Sequence, residues 1–369
     1  MFPLGANTKA FTVVALAQQI DQRKLSCDER MADVLPGFRF GDSWVSEHIT
    51  LRDLLTHRSG LAKGQGYLLF FPQSGYSRAD ITRRLRYLTP RNDFRSGFAF
   101  DNVLYIVAGE VLAKVSGKRW EEIVSQEIFA PLGMIDPAPN YGAIKSDNLG
   151  WPRRLDQCQW QRHDALLLCA IACRRAARVF GGVSTMVLVP DIGVGFAVLS
   201  NAEEHHALDA ISYRLLDHYL RLPTRDWISA GKIVRDRQLA AVAQLVSTQR
   251  QATAAARSAW LASPSLPLAN YAGVFGAEWY GTVTVTQSSS KELAIHLDAS
   301  KGMKGPLVHV DHDTFRTQWQ DPSIENAWVT FAVGPDRHIE RVIMQAISPI
   351  ADASFDYGDL SLTPVTPRK

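Results

Sequence analysis

The sequence predicts a mixed α/β fold of the α+β type, with helices in the first part of the chain and antiparallel strands at the end. Two segments, residues 10–20 and 103–112, carry apolar side chains at helical spacing. From Tyr271 onward the pattern changes to short alternating runs. Residues 280–286 and 293–297 flank three serines in the manner of a β-hairpin.

The composition excludes several classes of partner. The chain has 369 residues, enough for two domains, and a net charge of +3 with both signs mixed along the sequence. No basic stripe indicates a nucleic-acid surface, and no apolar run reaches the roughly twenty residues that cross a bilayer. We therefore predict no nucleic-acid partner and no membrane span.

The four cysteines are too few and too unevenly spaced to predict a disulfide framework. Cys169 and Cys173 are four residues apart and lie near His163, so a metal site is one alternative. The chain contains no Cys-x-x-Cys, and incidental thiols are the preferred interpretation of Cys27, Cys158, Cys169 and Cys173. We expect neither a metal nor a cofactor.

Three segments, in order, carry a family resemblance: TKAFT at residues 8–12, LLTHRSGL at 54–61 and QEIFAPLGM at 126–134. They resemble the serine β-lactamase-related family, which groups class C β-lactamases, penicillin-binding proteins, D-aminopeptidases and esterases. The resemblance is close over residues 1–140 and weaker over 179–222. It implies a β-lactamase/transpeptidase-like five-stranded antiparallel sheet flanked by helices, with a helical lobe across a cleft.

The resemblance implies that residues 5–9 hold the family's nucleophile motif, a Ser-x-x-Lys at a helix start. The lysine lies one helical turn after the serine, so its amine can accept the proton of the serine hydroxyl. Lys9 is present here, but Ala6 occupies the serine position, and alanine has no oxygen to acylate. Ala6 is therefore expected to be a vestigial nucleophile position.

Two further catalytic elements of the family are altered. Its Tyr-x-Asn corresponds to residues 100–102, where Phe100 keeps the ring without the hydroxyl and Asn102 is retained. Tyr105 is expected to pack or to face solvent rather than to replace the missing phenol. Counting back from residues 180–191 places Arg175 at the first position of the family's strand triplet, without the usual hydroxyl and glycine. Arg175 is a tentative source of positive charge there.

Other polar residues favour structural roles. Thr50 and Asp53 form a capping box that opens a short helix, and Gly60 supplies a stop signal. His57 and Ser59 follow this helix and are expected to bond local backbone rather than to form a catalytic pair. In the carboxyl part, a solvated turn is preferred over a metal site for the cluster of His309, Asp311, His312 and Asp313.

By the resemblance, the chain divides into a β-lactamase-like domain (1–222), a helical connector and linker (223–267) and an antiparallel β-barrel-like module (268–369). Five residues precede Ala6, whereas relatives have a helix and two strands before the nucleophile. Much of the family's helical lobe is also expected to have no counterpart in this sequence. Within residues 135–178 we recognise no segment typical of the family. A reading-frame excursion and a divergent insertion are both open explanations.

The ancestral reaction implied by the resemblance is acyl transfer on a small amide, lactam, ester or peptide. With Ala6 and Phe100 in place, we predict an inactive or severely impaired serine hydrolase, and the alternative is a non-catalytic binding protein that keeps a cleft for a small or peptide-like ligand. Engineering and natural decay both explain the two replacements, and the irregular residues 135–178 favour decay. No export signal is visible, so the chain as written is expected in the cytoplasm, although relatives are often periplasmic or secreted. The oligomeric state is left open.

Overall fold

The computed structural model describes residues 2, 4–134, 136–145, 173–179, 182–202, 204–259, 263–289, 292–349 and 351–365. These residues form helices and antiparallel sheets, as the α+β prediction requires. The described α-helices are α1 (Thr8–Asp21), α2 (Met31–Val34), α3 (Ser43–His48), α4 (Leu51–Leu55), α5 (Arg78–Arg84), α6 (Val103–Ser116), α7 (Trp120–Ile123), α8 (His205–Tyr219) and α9 (Trp227–Ala259). The described strands are β1 (Cys173–Val179), β2 (Gly182–Val189), β3 (Val194–Ser200), β4 (Gly273–Ala277), β5 (Gly281–Ser289), β6 (Glu292–Leu297), β7 (Lys304–Asp311), β8 (Thr314–Thr317), β9 (Ala327–Val333), β10 (Ile339–Ala346) and β11 (Ser361–Pro364).

The chain folds into two compact units, each built from two stretches of sequence. Unit one contains residues 1–18 and 118–245, and unit two contains residues 19–117 and 246–369. Each is described by itself below. The division of the chain into residues 1–222, 223–267 and 268–369 stays a prediction.

The sheet of unit one has three described strands in the order β1-β2-β3, all antiparallel. The turn between β2 and β3 is a short 3-10 segment at Pro190–Ile192 and ends at Gly193 in the left-handed region. Helix α8 packs on the sheet, because Leu216 contacts the buried Val187 and Val189. Residues 182–200 thus form two strands joined by a tight turn, and the helix that follows them packs on the same sheet.

Helix α1 of unit one packs against the segment that holds the third family motif. Phe11 meets Phe129 edge to face, with 5.3 Å between ring centroids. Trp120 donates its indole N–H to Thr12 Oγ1 at 3.0 Å, and Thr12 is buried. Two motifs more than a hundred residues apart in sequence therefore share one core.

Helix α4 of unit two begins at the capping box that the sequence predicts. Thr50 Oγ1 accepts a hydrogen bond from the backbone N–H of Asp53, and Asp53 accepts one from the backbone N–H of Thr50. The buried Asp53 carboxylate also receives two hydrogen bonds from Arg95, at 2.8 and 2.7 Å. The same residue thus starts a helix and anchors a loop forty-two residues away.

The carboxyl strands of unit two close into an eight-stranded antiparallel barrel, β10-β11-β4-β5-β6-β7-β8-β9. Buried and more exposed residues alternate along β9, where Ala327, Val329 and Phe331 point inwards. Phe331 meets Tyr271 and Phe315 edge to face, with centroids 5.1 and 5.6 Å apart. The core is therefore filled by side chains, and the predicted β-barrel-like module is confirmed as a closed barrel.

Helix α9 spans most of the predicted connector, and over residues 227–248 its side chains are largely exposed, apart from the buried Val242. No helix among the described residues is long and apolar enough to cross a membrane.

Candidate active site

The nucleophile motif straddles the start of α1. Gly5, Ala6 and Asn7 form a 3-10 turn, and the N–H of Thr8 donates to the carbonyl oxygens of Gly5 and Ala6. Lys9 is the second residue of α1 and is buried, with 7% of its surface exposed. Ala6 is partly exposed and offers only a methyl group. Position 6 therefore lies one turn before Lys9, as the predicted motif requires, and carries no hydroxyl.

Asn7 fixes this turn to the sheet of unit one. Its side chain is fully buried, and Nδ2 donates to Ser184 Oγ on β2 at 2.8 Å. Ser184 Oγ in turn donates to the carbonyl oxygen of Leu4 at 2.9 Å. The Ser184 hydroxyl therefore has a structural role, which the sequence analysis missed because its partners lie about 180 residues away.

Arg175 lies on β1, where its backbone is paired with Met186 of β2. The structure describes the backbone of this strand and not its side chains. The role of Arg175 as a source of positive charge therefore stays a prediction. Cys158, Cys169 and His163 lie outside the described residues, as does most of 135–178, so the metal alternative for that stretch also falls outside them.

In unit two, residues 100–102, which we call the Phe100 segment, are held by three hydrogen bonds from distant parts of the chain. The Phe100 carbonyl oxygen accepts the Gly64 N–H at 3.3 Å. The Asp101 N–H donates to His57 Nδ1 at 3.1 Å, and the Asn102 N–H donates to Tyr67 Oη at 3.0 Å. One backbone group of each residue in the segment thus has a defined partner, and the N–H of the retained Asn102 is held by Tyr67.

His57 is part of this frame, although the sequence predicts that it bonds local backbone. Its φ of +57° is a left-handed conformation that non-glycine residues adopt rarely, and the carbonyl of His57 accepts the N–H of Ala99 at 3.0 Å. Because Nδ1 accepts a backbone N–H, this nitrogen carries no proton. The ring of His57 thus has a backbone partner forty-four residues away, whereas Ser59 has the local partner that the sequence predicts, since its hydroxyl accepts the N–H of Leu61.

Aromatic rings surround His57, and Phe100, at the predicted tyrosine position, is one of them. The ring centroids of Phe100 and Tyr105 lie 4.9 and 5.4 Å from that of His57. The Tyr105 hydroxyl donates to the carbonyl oxygen of Leu55 at 3.0 Å, so this side chain packs and does not replace the missing phenol. Phe100 contributes an apolar ring and no acid–base group.

Tyr67 is a second residue that the sequence analysis missed. Burial, and then the nearby charge of Asp101, raise the pKa of its hydroxyl, so Tyr67 stays protonated at neutral pH. Its oxygen accepts the Asn102 N–H and its ring is buried. The two residues are thirty-five positions apart, so no local sequence pattern predicts their hydrogen bond.

The barrel also contributes a group next to this frame. Asp356 is partly buried, and its Oδ2 accepts the N–H of Gly66 at 2.7 Å. Burial raises the pKa of Asp356 to about 7, although the Gly66 hydrogen bond and the Arg91 charge both lower it. Since this pKa lies well above that of an ordinary aspartate, the protonated carboxyl stabilises the fold at low pH, and that contribution is lost as pH rises towards 7.

We expect Asp356→Asn to gain stability relative to the parent chain as pH rises. The amide imitates the neutral carboxyl, so the difference in free energy of unfolding should increase by about 2 kcal/mol between pH 5 and pH 8. Urea unfolding at the two pH values measures it. A difference that is the same at both would show that Asp356 titrates normally.

The polar cluster in the barrel is satisfied locally. His309 Nε2 bonds the carbonyl oxygen of His312, and His312 Nδ1 bonds Asp311. Asp313 accepts hydrogen bonds from the Ser265 N–H and from the Tyr271 hydroxyl. The bond from Ser265 connects the linker to the barrel. Among the described residues, no group of three His, Cys, Asp or Glu side chains is placed to hold a metal ion.

Two family models match the chain. Residues 1–154 match the model described as Beta-lactamase, and residues 261–364 match a domain of unknown function, DUF3471. The first match contains the nucleophile motif and the Phe100 segment, and the second covers the barrel. The two matches thus concern different parts of the chain.

Several named proteins resemble the first part. Penicillin-binding protein 4 of Amycolatopsis lactamdurans is 28% identical over 140 residues, which are 36% of this chain and 35% of that protein. N-acetylmuramyl-L-alanine amidase of Bacillus subtilis (strain 168) is 30% identical over 141 residues, 36% of this chain and 32% of that protein. The chain thus spans only 35% and 32% of the length of these two relatives. Among solved structures, an octameric penicillin-binding protein homologue from Pyrococcus abyssi has a TM-score of 0.49 at 14% identity, over 97% of this chain and 87% of that one.

Proposed function

Since residues 1–154 match the Beta-lactamase family model and resemble penicillin-binding proteins, we propose that the chain is a disarmed acyl-transfer protein in which little or no covalent hydrolysis survives. The observation that carries this proposal is Ala6, one turn before the buried Lys9 at the start of α1. A serine there would attack a carbonyl carbon, and Lys9 would accept its proton. Alanine offers no electron pair for the attack.

The substrate class of the ancestral reaction is a small amide, lactam, ester or peptide, since each presents a carbonyl that a serine can acylate. In that reaction the serine oxygen bonds to the carbonyl carbon, the leaving group departs with a proton, and water then hydrolyses the acyl-enzyme. Phe100 removes a second contribution, because a ring without a hydroxyl cannot carry a proton to the leaving group. The side chain of Asn102 can still donate a hydrogen bond to a bound acyl group and accept one from it.

The size of the loss follows from the nature of the missing group. Removing the nucleophile of a serine hydrolase lowers turnover on the order of a million-fold, and removing further members of the same catalytic group adds little. The replacement at position 6 alone is therefore sufficient for the predicted inactivity, and Phe100 is consistent with it.

We expect the parent chain to form no acyl adduct. The test incubates it with a chromogenic cephalosporin and with a p-nitrophenyl ester, and follows release of the chromophore together with the intact protein mass. The expected result is the background hydrolysis rate and an unchanged mass. A burst of product equal to the enzyme concentration, or a stable mass increase, would refute the proposal.

A second candidate function, non-catalytic binding of an acyl or peptidoglycan-like ligand, is favoured by the intact frame of the Phe100 segment. Three long-range hydrogen bonds hold this segment although the phenol is gone. Calorimetric titration with a cephalosporin tests the candidate. Binding without turnover that weakens in Asn102→Ala would support it, and the absence of binding in the parent chain would exclude this ligand class.

A further inference from the structure

A single turn of unit two, residues 62–66, lies between the barrel and the Phe100 segment; we call it the bridging turn. On one side, the Gly66 N–H donates to Asp356 Oδ2 at 2.7 Å. On the other, the Gly64 N–H donates to the carbonyl oxygen of Phe100 at 3.3 Å. The turn therefore has hydrogen bonds to both neighbours within three residues.

The barrel loop that carries Asp356, residues 351–356, contacts this turn closely; we call it the module loop. Gly64 has a φ of +78°, and a Cβ atom at that position would lie 2.5 Å from the carbonyl oxygen of Ala353. Gly66 has a φ of +84°, which favours glycine for conformational reasons. The two backbones meet with no side chain between them, so a displacement of the module loop must displace the turn.

The bridging turn also leads directly into the partner of Asn102. Gly66 caps a short 3-10 helix that begins at Tyr67. Tyr67 is buried, and its hydroxyl oxygen accepts the N–H of Asn102 at 3.0 Å. The conformation of Gly66 thus sets where the Tyr67 side chain starts, and Tyr67 in turn fixes the backbone of Asn102.

We propose that Asp356 is a positioning residue for Asn102. Through Asp356, the bridging turn and Tyr67, the carboxyl-terminal barrel fixes the backbone position of the Phe100 segment. Its significance for ligand binding rests on the proposed function of Asn102. The mechanical coupling itself does not, because it consists of contacts within unit two.

The charge state of Asp356 gives this coupling an observable signal. An ionised carboxylate accepts the Gly66 N–H more strongly than a neutral carboxyl does. Among the charged groups near these contacts, Arg91 lowers the pKa of Asp356. Asp101 and Asp352 raise the pKa of Tyr67. His57, which bonds the Asp101 N–H, is the other group able to affect Asn102 near neutral pH.

The test follows the backbone amide signals of Gly66 and Asn102 by NMR from pH 5 to pH 9, in full-length chains labelled with ¹⁵N-glycine and ¹⁵N-asparagine. In the parent chain both signals are expected to shift with one common midpoint, at about 7. In Asp356→Asn the amide still accepts the Gly66 N–H but cannot ionise. Both signals should therefore stay near their low-pH positions and lose the common titration.

The matched control is Asp352→Asn, the same change in the same module loop at a residue that bonds Ser354 instead of the bridging turn. This variant is expected to keep the common midpoint. A titration of Gly66 that Asn102 does not follow would overturn the proposal. So would an Asn102 titration that persists in Asp356→Asn, because it would identify His57 as its source. None of these readouts requires turnover or a ligand, so they are independent of whether the proposed function holds.

Discussion

Restoring Ala6→Ser together with Phe100→Tyr is expected to give a chain that is acylated by a p-nitrophenyl ester, with a rate at least about a thousand-fold above that of the parent. The new hydroxyl would lie one turn before Lys9, whose buried amine can take its proton. The hydrogen bonds that position the Phe100 segment are already in place, so the restored phenol would enter a formed frame. Initial rates and intact masses of the two chains measure the effect.

The control for this restoration is the triple variant that also carries Lys9→Met. It keeps the new hydroxyl and removes the base, so it should lose most of the gain in rate. If the double variant itself gains nothing, natural decay of the chain extends beyond Ala6 and Phe100. If the double and triple variants are equally active, Lys9 is not the base.

Asp53→Ala is expected to lower the free energy of unfolding by about 2–3 kcal/mol, because it removes half of the capping box and leaves the donors around a buried carboxylate without an acceptor. Asp53 accepts hydrogen bonds from the backbone and hydroxyl of Thr50, at 2.9 and 2.7 Å, and two from Arg95. Burial raises the pKa of Asp53, but the bonds from Arg95 and Thr50 outweigh it and leave the pKa below its usual value. The stabilisation is therefore present at neutral pH and is lost as pH falls through the folded pKa.

The matched control for this variant is Asp28→Ala. Asp28 forms the same kind of two-bond pair with Arg52, at 2.7 and 2.9 Å, but both side chains are more than half exposed. An exposed pair contributes about 0–1 kcal/mol, so urea unfolding of the two variants should differ several-fold in effect. If the two variants lose equal free energy of unfolding, the buried hydrogen bonds of Asp53 contribute no more to stability than the exposed pair of Asp28 does.

The sequence predicts those elements whose determinants are local. The Thr50–Asp53 capping box, the apolar periodicity of α6 and the alternation in β5 and β6 each lie within a few residues, and each prediction is confirmed. Strands β7 and β11 were not predicted, because the first ends at a polar bulge and the second has only four residues. Their pairing follows from closure of the barrel, which is a long-range property.

The candidate site shows the same division. The motifs reveal Ala6, Lys9, Phe100 and Asn102, since family resemblance is read along the chain. They do not reveal the residues that hold the motifs in place: Ser184 for Asn7, and His57, Tyr67 and Asp356 for the Phe100 segment and the bridging turn. Each of these residues contacts a partner between thirty-five and 290 residues away in the sequence. No local sequence pattern indicates a contact over such a distance.

The central claim is that position 6 is an acylation centre without its oxygen, and peptide mapping of the acyl adduct tests it most directly. The parent chain and Ala6→Ser are incubated side by side with the same p-nitrophenyl ester, digested, and searched for the added acyl mass. We predict an adduct on the peptide that contains residue 6 in the variant, and none in the parent chain. An adduct on any other hydroxyl or thiol of the parent chain would contradict the account.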